Sequence, residues 1–139
     1  LLSYRRKFRK IFQDYDHFAA NKNLQPEIRK VIWFLWLQGL DAAPPVVKKC
    51  HKALVDKLHD YEIILLTADN IDDYVSLPNF IFEKWQNGRI TNTHFSDILR
   101  LELLIKYGGV WIDSTVLLMG SKIPKQIEEA DLFYFQVLK

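Results

Sequence analysis

Sulfur is scarce in this chain of 139 residues: one cysteine, Cys50, and one methionine. A lone cysteine forms no internal disulfide, and Cys50 has no second Cys or His at metal-ligand spacing. A stapled secreted scaffold and a zinc module are therefore both excluded, and a reducing, cytoplasmic compartment is expected. Long apolar runs are also missing. The longest, Val31 to Leu37 (VIWFLWL) and Ile63 to Leu66, fall far short of the roughly 20 residues that cross a bilayer, so a globular chain without a transmembrane helix is expected. Glycine is sparse, at five residues. Gly108-Gly109 has neither the glycine-rich pattern nor the lysine of a phosphate loop. There are no internal repeats, low-complexity tracts or linkers. An initiator methionine is lacking too, and the chain stops directly after a strand-like run, so it reads as part of a longer protein.

What is present is core material. Apolar residues make up 49% and aromatics 14%, and a chain of this size can bury about two-thirds of its unfolded surface in a single core. That rules out disorder of the whole. The formal charge of +2 is unevenly placed. Arg5, Arg6, Lys7, Arg9 and Lys10 lie in the first ten positions with no acid among them, so the remainder is net acidic. Leu1, Tyr4, Phe8, Ile11 and Tyr15 recur at helical spacing, which predicts a basic amphipathic helix over 1–20. Its charges are either a solvated face or a peripheral contact with the inner face of an anionic membrane.

Further along, strands and helices alternate. Val31 to Leu37 reads as a buried strand ended by Gly39, and Pro44-Pro45 open a helix with the stripe Val47, Cys50, Leu54, Leu58. Tyr61 to Thr67 is the second strand, and Asn70 is expected to cap a short turn carrying Asp72 and Asp73. A helix starting near Ser76 and Pro78 ends at Asn87-Gly88, and a longer one runs from about Thr93 to Tyr107, closed by Gly108-Gly109. Val110 to Met119 is expected as the third strand, 121–130 as a short helix or turn, and Leu132 to Val137 as a fourth strand. This order predicts an α/β fold with parallel strands. Such sheets bind ligands at the carboxyl ends of their strands, which singles out Trp36 to Gly39, Thr67 to Asn70 and Asp113 to Thr115.

Two stretches could carry chemistry there. Ser96, Asp97 and Arg100 fall on one side of a helix's first turns. A carboxylate beside a guanidinium can read a polyhydroxylated ligand, one accepting and the other donating; the alternative is a surface ion pair worth tenths of a kcal/mol. Asp113, ending the apolar Val110-Trp111-Ile112, is disfavoured in a strand and needs a cation, a hydroxyl or a backbone amide. An Asx-type turn is the other account of it.

The ordered series Val31 to Gly39, Pro44/Pro45 with Val47 and Cys50, Leu65-Leu66-Thr67, Asn70-Ile71, Tyr74-Val75, Leu77-Pro78, and His94 through Thr115 resembles the capsular polysaccharide synthesis proteins. These sit in a wider group of glycosyltransferases with a DxD sugar-binding region, including fungal initiating outer-chain mannosyltransferases and clostridial glucosylating toxins. The resemblance covers about positions 30 to 124. It implies a GT-A-like, Rossmann-type nucleotide-binding domain over 28–139, truncated at its carboxyl end and inactive by itself. The implied activity is hexosyl transfer, with retention, from a nucleotide-sugar donor to a bacterial surface or capsular polysaccharide. A non-catalytic nucleotide-sugar or glycan-binding module of the same fold is the alternative.

Residue by residue, the resemblance implies that Trp36 stacks on the nucleotide base, the alternative being a core tryptophan in a run that already holds Trp33 and Phe34. Asp97 and Arg100, with Ser96 beside them, would hold donor-sugar hydroxyls, and Asp113 would contact the ribose or a metal's hydration shell. Thr115 stands where the second acid of the DxD element belongs. A neutral hydroxyl is a poorer ligand than a carboxylate for a hard cation, so the implied Mn²⁺ or Mg²⁺, held by Asp113 and Thr115, is weakened more than the family assignment.

The other candidates are plainer. Cys50 lies on an apolar helix stripe and reads as core. His17, His51, His59 and His94 lack metal spacing, His94 being either a cap or a site-lining residue. Lys48, Lys49 and Lys52 have no interleaved aromatics, which argues against nucleic acid as a partner.

Overall fold

The computed structural model describes residues 30–130 together with Arg9 and Phe133. The expected amphipathic helix over 1–20 and fourth strand over Leu132 to Val137 lie outside the described residues. The described chain runs β1 (Val31–Leu35), α1 (Pro45–Lys57), β2 (Glu62–Leu66), α2 (Ile71–Tyr74), α3 (Asn79–Gln86), α4 (Asn92–Tyr107), β3 (Val110–Trp111) and α5 (Lys125–Glu128). Its strands form one parallel sheet in the order β2-β1-β3, so the α/β expectation holds.

The central strand explains the near-continuous apolar run. Because successive side chains of a strand point to opposite faces, a strand covered on both sides has no polar positions to spare. Val31 and Trp33 pack with Phe95, Leu99 and Leu103 of α4, while Ile32 and Phe34 pack with Val47, Cys50 and Leu54 of α1. The two long helices show their start signals. Pro45 opens α1, where its missing N–H costs nothing, and Thr91 caps α4 by accepting the His94 backbone N–H. Leu99 and Leu103 are fully buried, and truncating either to alanine would cost about 2–5 kcal/mol.

Trp33 locks the turn between α4 and β3. Its indole N–H donates to the Gly108 carbonyl at 2.9 Å, and its ring meets Tyr74 edge-on at 5.6 Å. Gly109 has a φ of +87°, a conformation open to glycine and strained for other residues. The predicted glycine stop therefore serves as a helix end and as the point where the returning chain meets β1.

Two expectations need correction. The third strand covers only Val110–Trp111. One further bond, from the Ile112 N–H to the Trp33 carbonyl, extends the pairing before Val116 N–H closes a turn onto the Asp113 carbonyl. Turn-forming Asp113 and Ser114 prevail here over the strand propensity of the apolar residues that follow. Asn70 occupies the N-cap position of α2 without capping it. Its side chain instead accepts the Thr67 N–H and donates to the Leu65 carbonyl, pinning the loop after β2.

Candidate functional site

The turn at Gly108-Gly109 determines which residues meet at the carboxyl edge of the sheet. From Arg100 to Gly108 the helix rises about 12 Å at 1.5 Å per residue. From Gly109 to Asp113 the extended chain returns about 13 Å at 3.3 Å per residue. Asp113 thus arrives level with Arg100. The two residues form an ion pair, with Arg100 Nη2 donating to Asp113 Oδ1 at 2.9 Å.

Arg100 serves a second carboxylate as well. Its Nη1 lies 3.4 Å from Asp97 Oδ1, one helical turn back. The guanidinium is forked between two acids from different elements, giving the trio a formal charge of −1. Both carboxylates are more than half exposed, at 52% for Asp97 and 62% for Asp113, against 35% for Arg100. Each pair is therefore worth little as stability, at most about 1 kcal/mol. The exposed oxygens face solvent, where they can accept hydrogen bonds from a ligand's hydroxyls.

Beneath the guanidinium lies Trp111, with the Arg100 Cζ 5.2 Å from the ring centroid. The same indole donates from Nε1 to Asp113 Oδ1 at 2.9 Å. Trp111 was not among the expected site residues. The available signal was its position two before Asp113, since residues i and i+2 of an extended chain share a face.

The remaining expected residues are placed differently. Ser96 lies beside Asp97, but its hydroxyl donates to the Thr93 carbonyl at 2.7 Å on its own helix. Thr115 is exposed in the turn that Asp113 opens. Trp36 follows β1 at the same carboxyl edge, and its backbone N–H extends the pairing to Leu66. Its ring, however, packs with the layer of Ile32 and Phe34, whereas Trp111 packs with the layer of Trp33 and α4. The structure therefore joins Asp97, Arg100 and Asp113 and leaves Trp36 on the opposite side of the sheet. Its Nε1 is buried there without a partner among the described residues. The His94 ring nitrogen Nδ1 lies 2.8 Å from the Thr91 hydroxyl, which places it in the helix cap.

The described donor set does not fit a directly held divalent cation. Oxygen-rich cation sites draw on several carboxylates or carbonyls. Among the described residues no group of three or more His, Cys, Asp or Glu is placed to hold a metal. Asp113 Oδ1 is already bonded to a guanidinium, and Thr115 is neutral.

Comparison with known proteins follows this geometry. The sequence profile described as "Capsular polysaccharide synthesis protein" matches residues 4–139. The O-glycosyltransferase braB of Annulohypoxylon truncatum is 30% identical over 109 residues, covering 72% of this chain and 25% of the relative. The O-glycosyltransferase PaGT of Phomopsis amygdali is 29% identical over 104 residues, covering 66% and 25%. The glycosyltransferase afumC of Aspergillus fumigatus is 25% identical over 99 residues, covering 65% and 25%. The chain thus spans about a quarter of the length of these curated relatives. No solved structure matches it.

Proposed function

Because this chain belongs to the capsular polysaccharide synthesis protein family, with named glycosyltransferases among its distant relatives, we propose that it forms the donor-binding part of a glycosyltransferase. The reaction is transfer of a sugar from a nucleotide-sugar donor to a surface or capsular polysaccharide, with retention at the anomeric carbon. The observation that carries this reading is the fork of Arg100 between Asp97 and Asp113 at the carboxyl edge of a parallel sheet.

In this reading the exposed oxygens of Asp97 accept hydrogen bonds from the donor sugar's hydroxyls, and the Arg100 guanidinium donates to them. Asp113, held by its Oδ1, directs Oδ2 toward the ribose. During transfer the bond between the anomeric carbon and the phosphate oxygen breaks, the nucleoside diphosphate leaves with the electron pair, and an acceptor hydroxyl oxygen bonds to that carbon while its proton passes to the departing phosphate. Charge develops on the departing phosphate and on the sugar ring. These residues orient the sugar for that step, a positioning role. No step is routed through a metal, since the described residues do not by themselves supply a cation's donor set.

Thr115 at the second acidic position favours one rival, a module that binds nucleotide sugars without turnover. The deciding experiment incubates the full-length protein with a panel of nucleotide sugars, with and without Mn²⁺, and follows both donor binding and release of nucleoside diphosphate. Binding with turnover for at least one donor, lost on Arg100→Ala, is the expected result. Binding of a donor without release of nucleoside diphosphate, with every acceptor tried, would establish the rival. Binding of none would remove both.

A further inference from the structure

We propose that Trp111 is the positioning residue of this site, holding Arg100 and Asp113 in one arrangement before any ligand arrives. The inference rests on the donor-binding reading above. Three contacts carry it. The Trp111 Nε1–H donates to Asp113 Oδ1 at 2.9 Å, the same oxygen receives Arg100 Nη2 at 2.9 Å, and the Arg100 guanidinium lies 5.2 Å from the centre of the Trp111 ring. One indole thus touches both partners of an ion pair, by an edge hydrogen bond to the anion and by its face to the cation.

The need for such a support follows from exposure. An ion pair with a carboxylate that is 62% exposed gains little and does not by itself hold that carboxylate in one rotamer. A rigid ring with two torsions, set in β3 opposite Trp33, supplies the geometry that the ion pair alone does not. It also selects the oxygen. Both side-chain hydrogen bonds to Asp113 fall on Oδ1, so Oδ2 is left without a donor among the described residues and is the atom presented to a ligand. A phenylalanine in place of Trp111 could support the guanidinium but could not bond the carboxylate. A leucine could do neither.

The test has a part that needs no ligand. In the full-length protein labelled with nitrogen-15, the indole N–H resonance of Trp111 is identified by its loss in Trp111→Phe. Asp113→Asn is expected to shift that resonance and speed its hydrogen exchange, while the Trp85 indole, bonded to Asn92 at 2.8 Å, stays unmoved as the internal control. The second part measures affinity for the panel of nucleotide sugars, UDP-glucose and GDP-mannose among them, with the thermal unfolding midpoint of each variant confirming that it folds.

Trp111→Phe is expected to weaken binding of the accepted donor roughly tenfold, as for loss of a hydrogen bond to a charged group, and Trp111→Leu more. The double variant Trp111→Phe/Asp113→Asn should bind little worse than Asp113→Asn alone, because the indole acts through that carboxylate. A Trp111 resonance indifferent to Asp113→Asn, or fully additive losses in the double variant, overturns the role of Trp111 and leaves the donor-binding reading standing. Failure of the wild-type protein to bind any nucleotide sugar overturns that reading and, with it, the role of Trp111, even where the indole resonance responds.

Discussion

Gly109 passes so close to Val31 that a Cβ at this glycine would stand 2.6 Å from the Val31 carbonyl oxygen and 3.3 Å from the Trp33 indole nitrogen. This approach lets β3 lie beside β1 and carries Trp111 and Asp113 to the edge of the sheet. Gly109→Ala meets two penalties: the positive φ, and a backbone oxygen that cannot move aside without breaking the strand pairing. The expected destabilisation is about 2–4 kcal/mol, read from the urea midpoint. Donor affinity should fall further than in an equally destabilised core variant such as Leu103→Ala, because the site itself is displaced.

Arg100→Lys separates charge from geometry. A lysine keeps the positive charge between Asp97 and Asp113 but loses the planar fork and most of the stacking on Trp111. Stability should change by no more than about 1 kcal/mol, since Arg100 is partly buried and its two ion pairs are each worth little. Donor affinity should drop roughly tenfold or more, the cost of hydrogen bonds to charged groups. Calorimetric titration with the accepted donor checks the second figure. Wild-type affinity in Arg100→Lys would mean that charge alone suffices.

Thr115→Asp addresses the missing acid. It places a second carboxylate in the turn closed by Val116 N–H on the Asp113 carbonyl, raising the negative charge beside Asp113 without touching the core. Affinity for Mn²⁺ should rise by roughly tenfold, or about 1.4 kcal/mol, measured by the relaxation enhancement of water protons. An unchanged affinity would show that the turn holds residue 115 away from Asp113.

The parts of this fold that were legible in the sequence are those dictated by local pattern. The run Val31 to Leu35 carries its double burial in its composition, and Val47, Cys50 and Leu54 carry the α1 stripe in their spacing. The misread strand beyond Trp111 shows the limit. Val116, Leu117 and Met119 look like strand residues, yet they are 49%, 51% and 78% exposed, since the turn at Asp113 takes the chain off the sheet. Within the site, the Asp97 and Arg100 pairing follows from helical spacing. Arg100 meeting Asp113, and Trp111 bridging them, depends on the return path through Gly109 and the register Trp33 to Trp111, which no local pattern encodes. The layer of the Trp36 ring, by contrast, follows the strand's alternation, since Trp36 stands two residues after Phe34 and four after Ile32 and packs in their layer.

His51 makes stability depend on acidity. Its ring packs edge-on against Phe34 at 5.2 Å, and burial pushes its pKa below the ordinary 6.5. The unfolded chain therefore binds this proton more readily than the native one, so the contribution is present above about pH 6.5 and is lost as the pH falls below it. Urea midpoints at about pH 7.5 and pH 5.5 should fall more steeply on acidification for the wild type than for His51→Gln, a side chain that does not titrate there. Parallel slopes would place the acid sensitivity elsewhere.

Tyr61 has the opposite sign at the alkaline end. Burial first, then its hydrogen bond to Glu128 and the charges of Glu128 and Asp60, raise its pKa from 10.0 to about 12. The phenol donates to Glu128 Oε1 at 2.9 Å, and Lys30 lies 3.8 Å from the same oxygen, so the contact ties α5 to the amino edge of the sheet. The native state favours the protonated phenol. This stabilisation is complete below about pH 10 and disappears as the pH climbs through about 12. Ultraviolet difference titration should show a late tyrosinate component in the wild type that is smaller by one tyrosine in Tyr61→Phe. Glu128→Gln should bring the Tyr61 pKa part of the way back toward 10, because the desolvation that leads the shift remains. At neutral pH, Tyr61→Phe should cost about 0.5–1.5 kcal/mol for the lost hydrogen bond. A late component of unchanged size in Tyr61→Phe would assign it to a different tyrosine and break the proposed link between α5 and the sheet.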